Sequence, residues 1–190
     1  MKRFRLHVWA AIAAAAGIFF FSGSATAQNS IILGAPLSTA YLYGWDAERG
    51  IRLAVDEINA GGGVSVGGEK RPFAVEVIDT RDLEPGVPVS EALMAVERLI
   101  LNKNADFIVG GPNRSEAALA AMSLLSKHKR VSIVTSGVLT PKYHKTVAAN
   151  YDKFKYCFRI HGEAVNLIGE IIANFADLKE KYGLTKVFIM

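Results

Sequence analysis

The chain has 190 residues, 51% of them hydrophobic, with 22 basic against 18 acidic side chains and a single cysteine. This length is enough to bury a good core, and one cysteine excludes an intrachain disulfide framework. The formal charge of +4 rests largely on Lys2, Arg3 and Arg5 in an acid-free leader, so the remainder carries about +1 and gives no reason to expect nucleic-acid or membrane-surface binding.

Residues 1–27 read as a separate object. A basic start precedes an apolar run from Leu6 to Phe21, and Ala25-Thr26-Ala27 supplies a small-residue cleavage pattern. That layout predicts a secretory signal peptide. The run is too short for a spanning helix, which needs about 20 apolar residues, and Gln28 after the cut excludes a lipid-anchored cysteine.

From Ile31 the pattern alternates strand and helix. Ile31, Ile32 and Leu33 form a short apolar strand, Gly34 to Ser38 a loop, and Tyr43-Gly44 opens a helix whose Ala47, Ile51, Ala54, Val55 and Ile58 share one face. Gly61 to Arg71 is a glycine-rich connection, and Phe73 to Ile78 a second strand. Pro85 to Pro88 breaks the chain, with Ser90 as N-cap of a helix through Leu101. Phe107 to Val109 is a third strand. A helix from Ser115 to Lys127 follows, with Asn113 and Glu116 in capping-box spacing and cations at its C-terminal end, where the helix dipole favours them.

Val131 to Val134 is the fourth strand. Residues 140–155 read as irregular, 156–160 as extended, and Ile168, Ile171, Ile172, Phe175 and Leu178 mark a further amphipathic helix before an apolar strand at Lys186 to Met190. Apolar strands alternating with helices predict an α/β fold with a doubly wound parallel sheet covered on both faces. A buried strand at the end of the chain, with nothing to cover it, is expected of a truncated sequence.

Enzyme signatures are weak. Gly63 to Gly68 with Glu69-Lys70 misses the phosphate-cradling loop, because Glu69 intervenes and the stretch joins a helix to a strand. No serine sits in a G-x-S-x-G elbow, and the four histidines are scattered without H-E-x-x-H, so no catalytic residue, cofactor or metal is expected. Cys157, between Tyr156 and Phe158, reads as a small core residue, and Asp79 as structural.

Three loops at strand ends are the binding candidates, since ligands of open parallel sheets sit at the carboxyl ends of strands. The first holds Ser38 and Tyr43, whose ring and hydroxyl suit a small organic ligand. The second is Gly110 to Ser115, where glycines admit a close ligand and a helix N-terminus favours an anion. Arg114 there could pair with a carboxylate, and Asn113 and Ser115 are binding candidates beside it, the alternative being that they merely cap the helix. The third offers Thr135, Ser136 and the Gly137 backbone.

Pro36-Leu37-Ser38, Tyr43-Gly44, Gly50 and Glu57-Ile58-Asn59-Ala60 before three glycines together resemble the type I periplasmic solute-binding proteins, in particular the leucine/isoleucine/valine-binding branch of ABC importers. The resemblance implies a two-lobed receptor. It places an N-terminal lobe at 28–158 and the truncated beginning of a second lobe at 159–190, outside the inner membrane, with no membrane insertion after signal cleavage. It implies hinge closure on a small polar organic solute, delivery to a membrane permease, and no chemical step.

In the family the ring at Tyr43 faces the ligand, and the second loop gives a hydroxyl to its carboxylate, at Arg114 or Ser115. The third loop holds the ligand ammonium with a threonine, and that position is Leu139 here. A leucine cannot hydrogen-bond an ammonium, so amides, carboxylates and aromatic acids stand beside amino acids as expected solutes. A sensory receptor module is the alternative the same lobe would serve, and an exported α/β enzyme a more remote one. Half of a micromolar binding energy corresponds to about millimolar affinity, so this stretch alone is expected to bind weakly.

Overall fold

The computed structural model describes residues 30–188. The predicted signal segment lies outside them. A five-stranded, wholly parallel sheet organises the chain from Ile31 onward. Its elements are β1 (Ile31–Leu37), α1 (Leu42–Ala60), β2 (Val64–Val66), β3 (Glu69–Arg71), β4 (Phe73–Asp79), α2 (Val89–Leu101), β5 (Phe107–Gly110), α3 (Ser115–Lys127), β6 (Val131–Val134), α4 (Lys142–Ala149), α5 (Tyr151–Phe154), β7 (Cys157–Arg159) and α6 (Ala164–Tyr182).

The strand order is β4-β1-β5-β6-β7. From β1 the chain moves one way to β4, then crosses back to β5 on the other side. Right-handed crossovers put α1 on one face and α2 and α3 on the other. The gap between β1 and β5 is thus the topological switch point of the sheet.

Burial alternates along β5, β6 and β7 as the pleat requires. Ile108, Ser132, Val134, Cys157 and Arg159 fall on the buried face, in register across β5, β6 and β7. Of these, Ile108, Val134 and Cys157 meet Val96, Leu99 and Ile100 of α2 and Ala118, Ala121, Met122 and Leu125 of α3 in one core. Gly34 is on the same face because a Cβ there would press on Ala105 and the Leu99 side chain. The α1 face is covered only in part. Of the apolar stripe expected on α1, Val55 is buried, while Ile58 is 39% exposed, and Phe158 on β7 is 49% exposed.

Several expectations need correction. β1 runs on through Gly34 to Leu37, because its register with β4 continues to Leu37↔Asp79. The glycine-rich connection contains the antiparallel β2–β3 hairpin, turned at Gly67 and Gly68, both at positive φ. Asn59 then closes this excursion: its side chain accepts from the Phe73 N–H at 2.8 Å and donates to the Phe73 carbonyl at 2.9 Å, docking the end of α1 on the start of β4.

Residues 140–155 hold α4 and α5 rather than irregular chain. Ser90 lies inside α2, whose N-cap is Pro88, and α3 has Arg114 as N-cap with no side-chain cap. Residues 183–188 form no strand. The apolar positions predicted on α6 do lie on a helix, but none of its residues is buried.

Candidate functional site

The carboxyl ends of β1, β5 and β6 converge, and the side chain of Asn113 joins their loops. Its Oδ1 accepts from the Ser38 N–H at 3.0 Å, and its Nδ2 donates to the Ser136 hydroxyl at 2.8 Å. The Asn113 carbonyl in turn accepts from the Val138 N–H at 2.9 Å. An amide, with one acceptor and one donor end, bridges the two loops, where an alkyl chain would leave both partners unmet. The side chain expected to cap α3 therefore ties the switch point together.

Glycines allow the close approach. Gly44 packs on the Ser38 backbone and Gly137, at φ +69°, on the Asn113 backbone, and a Cβ at either would collide with a main-chain oxygen. Ser38 itself is fully buried. Its hydroxyl accepts from the Leu83 N–H at 3.2 Å, which fixes the loop after β4 to the loop after β1.

Around this knot lie two adjoining hollows. One, of about 280 Å³, is lined by Tyr43, Leu83, Asn113, Ser115, Gly137, Val138 and Leu139. The other, of about 380 Å³, is lined by Leu42, Tyr43, Asp46, Ala47, Thr135 and Ser136. The Tyr43 ring borders both and is 67% exposed. Of the residues singled out in the sequence, Tyr43, Asn113, Ser115, Thr135, Ser136 and Gly137 line this bipartite cleft. Ser38 stands behind it as a support.

Arg114 is placed elsewhere. Its guanidinium donates to the Val87 carbonyl at 3.3 Å and lies 3.9 Å from Glu116, and it does not line either hollow. Its backbone N–H donates to Asp82 at 2.6 Å. Asp82, fully buried, also accepts from the Thr80 hydroxyl, so it anchors the start of α3 to the loop after β4. Sequence reading passed over Asp82 and Leu83, because a buried carboxylate is recognisable only from partners distant in sequence. Asp79 is structural: it accepts from the N–H groups of Thr39 and Arg81.

The chemistry of the first hollow is one-sided. Its apolar walls are the Tyr43 ring, Leu83, Val138 and Leu139, and its polar groups include the Ser115 hydroxyl at the N-terminus of α3. No charged side chain lines it. A helix N-terminus with a hydroxyl favours an anionic or carbonyl-bearing group. Among the described residues no three His, Cys, Asp or Glu are grouped to hold a metal, and no helix is long and apolar enough to cross a membrane.

The fold defines a class: a doubly wound α/β lobe with a polar-rimmed cleft at its switch point. A model of the periplasmic binding protein family matches residues 34–188, and the chain belongs to that family. Solved structures agree in fold. A protein assigned to branched-chain amino acid ABC transport from Silicibacter pomeroyi is 20% identical, with a TM-score of 0.65 over 80% of this chain and 36% of its own. The branched-chain amino acid transporter substrate-binding protein LivJ from Streptococcus pneumoniae, solved with isoleucine, is 25% identical with a TM-score of 0.59 over 80% of this chain and 38% of its own. A solute-binding protein of an ABC transporter from Rhodopseudomonas palustris BisB5, solved with 3,4-dihydroxybenzoic acid, is 20% identical with a TM-score of 0.50 over 71% of this chain and 32% of its own. The chain thus spans about a third of the length of these structures.

Proposed function

We propose that this chain carries the first lobe of an extracytoplasmic solute-binding protein that delivers a small organic solute to an ABC permease. The observation that carries the reading is the shared cleft. Tyr43 opens α1, Ser115 opens α3 and Gly137 lies in the loop after β6, yet the three line one hollow at the carboxyl edge of the sheet. Membership of the periplasmic binding protein family supports an extracytoplasmic setting, with residues 1–27 as the export signal and 28–158 and 159–190 as the first lobe and the start of a second.

The solute class follows from the lining. A carboxylate would sit at Ser115 and the first turn of α3, with its apolar body against Tyr43, Leu83 and Leu139. The ligands held by two relatives, isoleucine and 3,4-dihydroxybenzoic acid, each combine a carboxylate with an apolar body. The Leu139 side chain offers no acceptor for an ammonium, so this wall accepts a plain carboxylic acid as readily as an amino acid. Closure of a second lobe over the bound solute would stabilise the closed form by its differential contacts. No proton transfer or bond exchange is required of any residue here.

Saturation-transfer NMR on the chain tests the reading at millimolar ligand. The informative pair is 4-methylpentanoate and leucine, which differ only by the amino group. The acid should bind at least as tightly as leucine, and Tyr43→Ala should abolish the signal of both. Transfer that is absent for both ligands, or that persists unchanged in Tyr43→Ala, would count against this site.

A further inference from the structure

Arg159, the last residue of β7, is a charged side chain on the buried face of the sheet, and only 1% of it is exposed. Burying a guanidinium is costly unless its donors are used. Nη1 donates to the carbonyls of Val138 at 2.7 Å and Thr140 at 2.9 Å. Nη2 donates to Glu163 Oε2 at 3.0 Å and faces His144 Nδ1 at 3.3 Å.

The two carbonyls flank Leu139, which lines the cleft. The Leu139 carbonyl itself accepts from the Ala164 N–H at 2.8 Å, in the first turn of α6. Glu163 is the N-cap of that helix. The third wall of the cleft is therefore joined to the start of α6 twice, once by main chain and once through the Arg159–Glu163 ion pair.

We propose that Arg159 is a positioning residue that locks the Val138–Leu139 wall to the start of α6, so that filling the cleft and shifting α6 bias one another. Val138 sits at φ +45°, a region that a β-branched residue occupies only when its surroundings hold it there, and the two-ended guanidinium supplies that hold. Coupling of this kind is reciprocal: whatever α6 does to the wall, a ligand on the wall does to α6. The ligand half of the proposal rests on the cleft being a solute site, whereas the coupling of wall to helix does not.

Hydrogen-exchange mass spectrometry on the chain separates the two. The reporters are the Val138 amide, bonded to Asn113, and the Ala164 amide, bonded to Leu139. Glu163→Gln removes the ion pair while keeping a polar cap, and should speed exchange in peptides 136–140 and 162–168 together by about fivefold or more, leaving β5 unchanged. Arg159→Lys should do the same, since a single ammonium cannot span both carbonyls and Glu163. Faster exchange at 162–168 alone, or no change in either peptide in Glu163→Gln, would overturn the coupling. In the second arm, 4-methylpentanoate should slow both peptides in the wild type and only 136–140 in Glu163→Gln. Protection confined to 136–140 in the wild type would overturn the coupling, whereas protection nowhere would overturn the solute reading and leave the first arm to decide the coupling.

Discussion

The Ser38 backbone N–H donates to the Asn113 side chain at 3.0 Å across 75 residues of sequence. That amide also holds Ser136, so three loops depend on one side chain. Asn113→Ala leaves the buried Ser38 N–H without its acceptor and the half-buried Ser136 hydroxyl without its donor, and should cost about 1–3 kcal/mol. Asn113→Asp keeps the acceptor toward Ser38 but puts a carboxylate at a position only 3% exposed, and should also destabilise. Urea unfolding followed by circular dichroism gives both numbers. An Ala variant within about 0.5 kcal/mol of wild type would show that the loops hold one another without it.

Asp82 makes a comparable junction between the loop after β4 and the start of α3. One of its oxygens serves Thr80 and the other the Arg114 N–H. Asp82→Ala removes both acceptors and leaves the Arg114 N–H and the buried Thr80 hydroxyl without this partner. The expected loss is about 1.5–3 kcal/mol, the range for a hydrogen bond to a charged group. The urea midpoint reports it, and near-neutrality would mean that the loop rotates to find another partner.

Glycines in the chain are not equivalent. At Gly137 the positive φ and the Asn113 carbonyl both oppose a side chain, so Gly137→Ala should destabilise by about 1–3 kcal/mol. Gly50 lies within α1 with open space around its missing Cβ, so Gly50→Ala should stabilise by about 0.5–1 kcal/mol. Thermal melts of the two variants should move in opposite directions. Parallel movement would show that Gly50 faces something beyond the described residues.

Cys157 is buried, and burial pushes its thiol up to about 11, with Tyr143 beside it also raised chiefly by burial. A thiol raised above its ordinary value of 9.0 keeps its proton longer in the folded state than in the unfolded one. Its contribution is then intact below about pH 9 and is lost as pH rises toward 11, so stability should fall across that window. Cys157→Ala should flatten this part of the pH profile. In the same experiment, iodoacetamide at pH 8 should label the native thiol far more slowly than the urea-unfolded one. Equal rates would place the thiol at the surface.

The parallel sheet was legible in the sequence because its strands are short apolar runs and its long helices show a regular stripe. α4 and α5 were missed for a physical reason: of their residues only Tyr143 is buried, so no stripe marks them. Asn113 read as a binding candidate or a cap because both are local patterns, whereas Ser38 and Ser136, its actual partners, lie 75 and 23 residues away. Tyr43, Ser115 and Gly137 could be placed at strand ends from the sequence, and the structure gathers them around one hollow. Asp82 and Arg159 carried no signal, because a charged residue reads as surface until the groups that neutralise it are known. Arg114 illustrates the converse, a cation at the right loop whose side chain is drawn to Val87 instead.

Because the sheet changes direction at β1, the walls of the hollow are supplied by residues 43, 83, 113, 115 and 137–139, nearly a hundred positions of chain. No peptide cut from the protein can reproduce that recess, and no partly assembled intermediate lacking β6 can present it. Occupancy by a solute would thus certify that assembly is finished, and a bound small molecule would act on this lobe as an inspector of its own folding.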